Sequence, residues 1–405
     1  MHRINYARYV NEVLMMIRPG NPGLMKAMNR AIVVDLISKQ GPISQTQICE
    51  ATGLARSTVS NIVRELKTEG LVVDVKRAKS KGGGRRQVLL GLNETAGYVV
   101  GVDLGGTKMA GALADLGGNQ LVKLVQPTCA EHGARAVLES LIEFIQGMVD
   151  KSGVDPDLIR GVGVGVPGVV LPGGIVEWAP ALGWRNLDIH GELRKALPYR
   201  VFIENDVNLL ALGEFWYGAG QGCSSMVCLA IGTGLGAGII LDGQLYTGAT
   251  RSAGEVCDLV IDPSCLGREY KPFGCLERTA SGPGLSRIYR ELNPGAGDVD
   301  AEEVFKLARS EDVTALQAVD TFARHLSMAV LAVAAVLDPE VIVLGGGVAN
   351  GTDLFKEKIE ELTGPVLQAK PDIRVSALGV DAGVMGAVAL TLHGTRGDPL
   401  GSIDK

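Results

Sequence analysis

The sequence predicts an α/β protein made of a small basic head of helices and a duplicated, two-lobed nucleotide-binding body. The first observation is an apolar strand at residues 99–102 that leads directly into Asp103-Leu-Gly-Gly-Thr-Lys108. The second is a repeat of this plan, in which apolar residues 226–231 lead into the glycine-rich segment 232–238. Two such hairpins in one chain indicate two phosphate-cradling lobes, because glycines let backbone N–H groups approach an anion closely.

The third observation is the distribution of charge along the chain. Residues 1–90 contain 15 Lys and Arg against 6 Asp and Glu, whereas the remaining residues contain 24 against 39. A basic head on an acidic body indicates a polyanionic partner for the head alone.

Length and composition limit the remaining possibilities. A chain of 405 residues with 46% apolar residues and 55 glycines is typical of a globular, turn-rich protein of two or three domains. Seven thinly spread cysteines argue against a disulfide framework and for a reducing compartment. The longest apolar stretch, residues 328–337, is too short to span a bilayer. We therefore expect a cytoplasmic protein with no membrane partner.

The head has the residue pattern of a helix-turn-helix. Apolar residues recur every four positions from Leu24 to Leu36, Ser44 and Gln47 form a capping box, and Gly53 marks a tight turn. The next helix buries one apolar face and exposes a polar, basic one, which would enter the major groove of duplex DNA. The residues predicted to lie near base edges are Arg56, Ser57, Thr58, Ser60 and Asn61.

A basic hairpin follows the helices. Strands at residues 71–73 and 87–90 flank three glycines and the cations Lys79, Arg85 and Arg86, which predicts a wing whose tip contacts phosphate or the minor groove. The alternative is a plain three-helix bundle followed by a solvated basic loop. Helices, turn, wing and local charge all agree with DNA binding, so duplex operator DNA is the predicted partner.

Each strand–glycine junction of the body offers groups for a nucleotide. Asp103 can orient a metal-bound water, and the donors around it are Gly105, Gly106, Thr107 and Lys108. In the second lobe the corresponding donors are Gly232, Thr233 and Gly234. Gly346, after the strand at residues 341–344, suits an adenine or ribose, although a simple helix-start turn explains it equally well. A lone glycine pair is most often only a tight turn.

A strand at residues 201–203 delivers Asn205 and Asp206 to its carboxyl end, where α/β sheets hold ligands. Asp206 can accept a proton from a substrate hydroxyl while Asn205 binds another hydroxyl. The alternative is that this pair only caps the following helix. Residues 161–170 form another strand that ends in a glycine turn, and residues 178–184 are predicted to be a loop.

Together these residues resemble the ROK family of repressors and sugar kinases over roughly residues 24–393. The matching segments are 103–108, 204–208, 231–238, 254–255, 274–277 and 344–347. The resemblance implies an actin-like, ribonuclease-H-like ATPase fold whose two lobes close on a sugar. It also implies that Asp206 is the general base, and that the glycine loops contact the phosphates of ATP, with magnesium if ATP binds. The sugar contacts that it implies are Gly168, Asn205, Asp206, Glu255, Asp258 and Glu277.

The chain departs from the family pattern at the structural zinc site. Asp258 stands where the family has a histidine, and Arg268 and Tyr270 stand where it has cysteines, which leaves only Cys275. We therefore predict that no structural zinc is bound. The alternative is that Cys257 and Cys265 join Cys275 and Asp258 around a metal. Cys257 and Asp258 are adjacent, however, so on a strand they would face opposite sides and could not easily share one metal.

Two functions follow from the resemblance. The first is a sugar-responsive transcriptional repressor of carbohydrate-utilisation genes, which the basic head favours. The second is an ATP-dependent sugar kinase of hexokinase or glucokinase type. The predicted division is a DNA-binding domain at residues 1–90, a first lobe at 91–206 and 380–393, and a second lobe at 207–379 with a dimerisation surface. A homodimer or homotetramer is expected, because one head alone makes too few contacts for tight specificity.

Overall fold

The computed structural model describes residues 22–78, 87–260, 262–268, 270 and 274–396. The predicted wing-tip cations Lys79, Arg85 and Arg86 lie outside these residues. The described chain forms a head and two lobes, and each lobe is built on a five-stranded sheet.

The head is a winged helix-turn-helix, as predicted. Ser44 and Gln47 form the expected capping box, and Gly53 ends the second helix with a φ of 70°. Leu36, Ile48 and Leu66 are fully buried between the helices. The elements of the head are α1 (Pro22–Gln40), β1 (Ile43–Ser44), α2 (Gln45–Thr52), α3 (Arg56–Thr68), β2 (Val72–Ala78) and β3 (Gln87–Leu92), and its sheet has the order β1-β3-β2.

The first lobe contains a sheet of order β11-β7-β4-β5-β6, in which β4, β7 and β11 are parallel and β5 and β6 antiparallel. A small antiparallel sheet, β8-β9-β10, lies beside it. The elements are β4 (Tyr98–Leu104), β5 (Lys108–Asp115), β6 (Gln120–Pro127), α4 (Ala134–Ser152), β7 (Ile159–Val166), β8 (Val169–Leu171), β9 (Ile175–Ala179), β10 (Trp184–Asp188), α5 (Ile189–Ala196) and β11 (Val201–Asn205).

The prediction of a loop at residues 178–184 is wrong in part. Trp178 lies in β9 and Trp184 begins β10, and the two strands pair in antiparallel register. The physical reason is burial: Trp184 is almost completely buried, and its indole N–H donates to the Ala134 carbonyl oxygen at 3.0 Å. A large anchored side chain fixes this segment as a strand although its local sequence does not favour one.

The second lobe contains a sheet of order β14-β13-β12-β15-β16, covered by helices. A buried cluster, which includes Phe322 and Phe355, joins the sheet to these helices. The elements are α6 (Asp206–Tyr217), β12 (Met226–Ile231), β13 (Leu235–Leu241), β14 (Gln244–Leu245), α7 (Glu277–Ala280), α8 (Gly282–Leu292), α9 (Ala301–Arg309), α10 (Val313–Leu337), β15 (Val341–Gly345), α11 (Thr352–Thr363) and β16 (Asp372–Val375).

Helix α10 is longer than the apolar stretch that the sequence suggested. By length and composition it is the one helix of the described chain that could cross a membrane. Its side chains Phe322, Leu326 and Val330 are nonetheless fully buried in the core of the second lobe. A core helix meets the same criterion of length and hydropathy, and the burial identifies α10 as a core helix.

The last helix, α12 (Ala382–Arg396), returns to the first lobe and packs on β4 and β7. It also packs along α6, the helix that leads from β11 into the second lobe. Helix α6 in turn lies on β13, where a Cβ on Gly238 would be 2.4 Å from the Ala211 side chain. The α6–α12 pair therefore lies where the two lobes meet.

Candidate functional site

The first glycine loop has a fixed shape at the end of β4. The Gly105 N–H donates to the Lys108 carbonyl oxygen at 3.0 Å, and the Thr128 hydroxyl donates to the Gly105 carbonyl oxygen at 2.7 Å. The Thr128 N–H also donates to the Thr107 carbonyl oxygen at 3.0 Å. A Cβ on Gly106 would lie 2.8 Å from the Ala181 side chain, so the loop fits closely against its neighbour. Such a rigid turn can present N–H groups to an anion without reorganising.

The sequence left two roles open for Asn205 and Asp206: capping of the next helix, or binding and catalysis. In the structure only Asn205 is the cap. Asn205 caps α6, because its side-chain oxygen accepts from the Asn208 N–H at 3.0 Å. Its amide group donates to the Gly168 carbonyl oxygen at 3.0 Å and to the Asp206 carboxylate at 3.1 Å. Asp206 is the first residue of the helix and not its cap. The capping alternative therefore describes Asn205 and leaves the carboxylate of Asp206 available for chemistry.

Burial changes the protonation of the two cleft aspartates. It raises the pKa of Asp206 to about 7, and the nearby carboxylates of Asp103 and Glu255 add to this increase. Burial also raises the pKa of Asp103 to about 6, although the Lys108 ammonium acts in the opposite direction. Aspartates whose pKa values are raised toward neutral pH are typical of a ligand-binding or catalytic site.

The remaining predicted carboxylates lie within electrostatic reach of Glu277 or Asp206. Glu277 accepts from the Leu235 N–H at 2.9 Å, and its pKa is raised by burial and by the carboxylates of Asp258 and Glu255. The Cys257 thiol lies 3.4 Å from a carboxylate oxygen of Glu255. Burial is the main cause that raises the pKa of this thiol and the Glu255 carboxylate is the second, so the thiol stays protonated. Glu255 thus connects electrostatically to Asp206 on one side and to Glu277 on the other.

The second glycine loop and Gly346 meet at the end of β12. The Gly232 N–H donates to the Gly234 carbonyl oxygen at 2.9 Å, which closes the turn that contains Thr233. A Cβ on Gly234 would lie 2.7 Å from the Glu277 carboxylate, and one on Gly346 would lie 2.4 Å from the Ile231 carbonyl oxygen. Gly346 has a φ of 84° and lies immediately before a 3-10 turn. This position agrees with the alternative that the glycine only starts a helical turn.

Sequence reasoning missed Arg251, which joins the loop after β14 to the first lobe. Its guanidinium donates to the Val170 carbonyl oxygen at 2.6 Å and pairs with the buried carboxylate of Glu204. Glu204 also accepts from the Asn205 N–H at 2.9 Å and from the Asn208 amide at 3.0 Å. Arg251 has a φ of 61°, a left-handed conformation that is unusual for a residue with a side chain. This ion pair holds the strand end that carries Asn205.

The four positions of the family zinc site are Asp258, Arg268, Tyr270 and Cys275. Cys265 forms hydrogen bonds with Tyr270 and Cys275, which lower the pKa of its thiol, and Arg268 is exposed. The strand assumed for Cys257 and Asp258 is wrong, because Val256–Asp258 is a 3-10 turn. Among the residues that the structure describes, the one group of three metal-ligating side chains within 4.8 Å is Cys129, Glu131 and His132. The absence of a structural zinc stays a prediction.

The candidate DNA-reading face lies on α3. Val59, Ile62, Val63 and Leu66 fill the core, which turns the opposite face of the helix outward. Thr58 on that face is half-buried. The other predicted residues on the face are exposed, namely Arg56, Ser57, Ser60 and Asn61. The Asn61 side-chain oxygen accepts from the Arg64 guanidinium at 2.9 Å, so this amide is held in place on the helix surface.

Comparison with known proteins gives two family matches. The model of the ROK family matches residues 99–393, and the model of the MarR family matches residues 27–86. A xylose repressor from Caldicellulosiruptor bescii is 33% identical over 395 residues, which cover 92% of this chain and 97% of the repressor.

Solved structures match both the whole chain and its body. A ROK family transcriptional regulator, a homologue of the E. coli MLC protein, matches with a TM-score of 0.80 and 26% sequence identity. This match covers 92% of this chain and 98% of the regulator. A ROK family glucokinase from Streptomyces griseus in complex with glucose and AMPPNP has a TM-score of 0.63 at 28% identity. That match covers 73% of this chain and 99% of the glucokinase.

Proposed function

The chain belongs to the ROK family, and from that premise we propose that it is a sugar-responsive transcriptional repressor of carbohydrate-utilisation genes. The observation that carries the proposal is that one chain combines an exposed recognition helix with a cluster of carboxylates whose pKa values are raised. Its similarity to a xylose repressor extends over both parts. The proposed partners are operator DNA and a small sugar, and the proposed location is the cytoplasm, where a bacterial chromosome lies.

DNA recognition is assigned to α3 in the major groove. Arg and Asn side chains recognise base edges by paired hydrogen bonds, and the hydroxyls of Ser57, Thr58 and Ser60 can bond to either bases or phosphates. Lys79, Arg85 and Arg86 are proposed to add phosphate or minor-groove contacts. Since one recognition helix reads only a few base pairs, we infer that a homodimer or homotetramer binds a two-fold symmetric operator.

Asn61→Ala should weaken operator binding by roughly 5- to 100-fold, which is the usual cost of losing one base contact. Arg56→Ala should have a similar effect and also reduce the dependence of affinity on salt. The measurement is fluorescence anisotropy on an operator duplex selected from a random library. Lys306→Ala, which removes an exposed lysine of the second lobe, is the control and should bind as the wild type does. Equal affinity for the operator in all three variants would refute the assignment of α3.

The proposed sugar site lies between Gly168 and Asn205 on the first lobe and Glu255, Asp258 and Glu277 on the second. Carboxylates and an amide suit a neutral ligand with many hydroxyl groups, because each sugar O–H can donate to an ionised oxygen. Asp206 lies at the centre of this set. The proposed ligand class is an aldose, and xylose is the first to test because the repressor from C. bescii is named for it.

A second candidate function is an ATP-dependent sugar kinase, favoured by the proximity of Asp103 to Asp206. The residues fit a nucleotide: Gly232 and Gly347 face open space, and Gly105 and Gly106 lie in a preformed turn. When bound, ATP would supply the phosphoryl group and magnesium would neutralise its charge. Asp103 would orient the metal's water, and Asp206 would accept the proton of the sugar hydroxyl. Formation of ADP that depends on an aldose tests this function.

A further inference from the structure

We propose that helices α6 and α12 act as one rigid unit that transmits sugar binding from the cleft to the DNA-binding head, through the contact of Trp216 with His393 and Lys39. The proposal rests on the function proposed above and specifies how the two sites are coupled. It follows from three features of the α6–α12 pair: where the helices begin, how they pack and what lies at their far ends.

The first turn of each helix lies at one of the two aspartates of the site. Helix α6 starts at Asp206 and is capped by Asn205, so its first turn belongs to the proposed sugar site. Helix α12 starts at Ala382, and a Cβ on Gly383 would lie 2.6 Å from the Asp103 carboxylate. A change in the cleft therefore reaches the first turn of both helices.

The two helices are in backbone contact. A Cβ on Gly386 of α12 would lie 1.8 Å from the Leu209 carbonyl oxygen of α6. One on Gly213 of α6 would lie 2.1 Å from the Ala382 carbonyl oxygen of α12. Glycine at both points lets the backbones touch, and closely packed backbones have little room to slide past each other. The pair is thus suited to move as a single body.

The far ends of the helices meet the head. The Trp216 ring of α6 and the His393 ring of α12 stack with centroids 4.0 Å apart at an angle of 30°. The Lys39 ammonium, in the last turn of α1, lies 4.3 Å from the centroid of the Trp216 ring. Lys39 also pairs with Asp35 of the same helix at 2.8 Å. With 12 residues at about 1.5 Å each, α6 bridges about 18 Å between the cleft and the head.

A second contact gives the head a pivot. Leu71 and Leu92, at the base of the wing, pack against Val99 of the first lobe and Val388 and Leu392 of α12. The head is therefore attached at a hydrophobic base and, separately, at Trp216. When sugar moves the α6–α12 unit, Trp216, Val388 and Leu392 move together, and their position relative to Val99 of the first lobe changes. Because Lys39 holds α1 to Trp216, the orientation of α3 changes with it.

The test uses two variants of the full chain that retain bulk at the contact. Lys39→Met removes the charge and keeps the apolar stem, whereas Trp216→Phe keeps an apolar ring but weakens its attraction for a cation. Lys26→Met is the matched control, because Lys26 is an exposed lysine of the same helix α1 and pairs with Glu65 instead of an aromatic ring. Calorimetry gives the sugar affinity, and anisotropy gives the operator affinity with and without saturating sugar.

We expect both variants to bind sugar and operator separately within about twofold of the wild type. Coupling between sites is typically 5- to 150-fold, and we expect it to fall to less than twofold in both variants but not in Lys26→Met. Wild-type coupling in the two variants would overturn the proposal. So would a large loss of sugar or operator affinity in both, because the contact would then belong to a binding site and not to a relay. A wild-type protein without coupling would instead contradict the proposed function.

Discussion

Asp206→Asn is expected to abolish the response to sugar while operator binding is retained. At pH 8, above the pKa of about 7, Asp206 is ionised. Asparagine has the size of aspartate but lacks the charged oxygens that accept sugar hydroxyls, and hydrogen bonds to charged groups contribute about 1.5–3 kcal/mol each. We therefore expect sugar affinity to fall by roughly 100-fold or more. Calorimetry measures the loss of sugar binding, and anisotropy verifies that operator affinity is unchanged. Release of the variant from DNA at wild-type sugar concentrations would place the sugar site elsewhere.

The same substitution should change how stability depends on pH. The pKa of Asp206 rises from its ordinary value of 3.8 to about 7 on folding. Between these two pH values the folded state holds a proton that the unfolded chain has released. The contribution of Asp206 to the stability of the fold is therefore fully present below pH 3.8 and is lost as pH rises through about 7. An increase of three pKa units corresponds to about 4 kcal/mol, and the uncharged amide of the Asp206→Asn variant carries no such penalty above pH 7.

Urea unfolding at pH 5 and pH 8 measures this difference. We expect Asp206→Asn to gain stability relative to the wild type at pH 8, and to gain clearly less at pH 5. Asp150→Asn is the control, because Asp150 is an exposed aspartate at the end of α4. The burial argument fails if Asp206→Asn shifts stability by the same amount at both pH values.

Gly386→Ala is expected to destabilise the protein by about 3 kcal/mol, the upper end for overpacking in a closely packed core. The added methyl group would lie 1.8 Å from the Leu209 carbonyl oxygen, so α6 and α12 must separate to accept it. Denaturant unfolding monitored by circular dichroism measures the cost.

Gly147→Ala provides the matched control for this substitution. Gly147 also lies within a helix, α4, but a Cβ at this position would have no atom within 4 Å. Helix propensity alone predicts that Gly147→Ala stabilises the protein by about 0.5–1 kcal/mol. If the two alanine variants are equally stable, the backbone contact between α6 and α12 is not as close as described.

The head could be predicted almost element by element because its determinants are local. The capping box of Ser44 and Gln47 and the left-handed Gly53 act within a few residues of themselves. The strands β9 and β10 were missed because they depend on a distant partner: the indole of Trp184 is buried against Ala134, which lies 50 residues earlier. No pattern in residues 178–184 contains that information.

The candidate site divides in the same way. The motifs predict Asp103 and Asp206 because each lies at the end of an apolar strand, but the effect of Asp103 on the pKa of Asp206 depends on the strand order β11-β7-β4. Arg251 carries no motif, and its partner Glu204 lies 47 residues away. The contact between Gly213 and Ala382 joins segments that are still farther apart in the sequence, so the α6–α12 unit was not predictable from the pattern of residues.

Titration of an aldose panel, beginning with xylose and glucose, into the wild-type complex with its operator tests the central claim most directly. Anisotropy of the labelled duplex reports the operator Kd at each sugar concentration. The account predicts that one aldose raises this Kd at least fivefold, and that the same aldose has no effect on the complex of Asp206→Asn with the operator. An operator Kd that stays constant across the panel, while calorimetry shows that the protein binds one of these sugars, would contradict it.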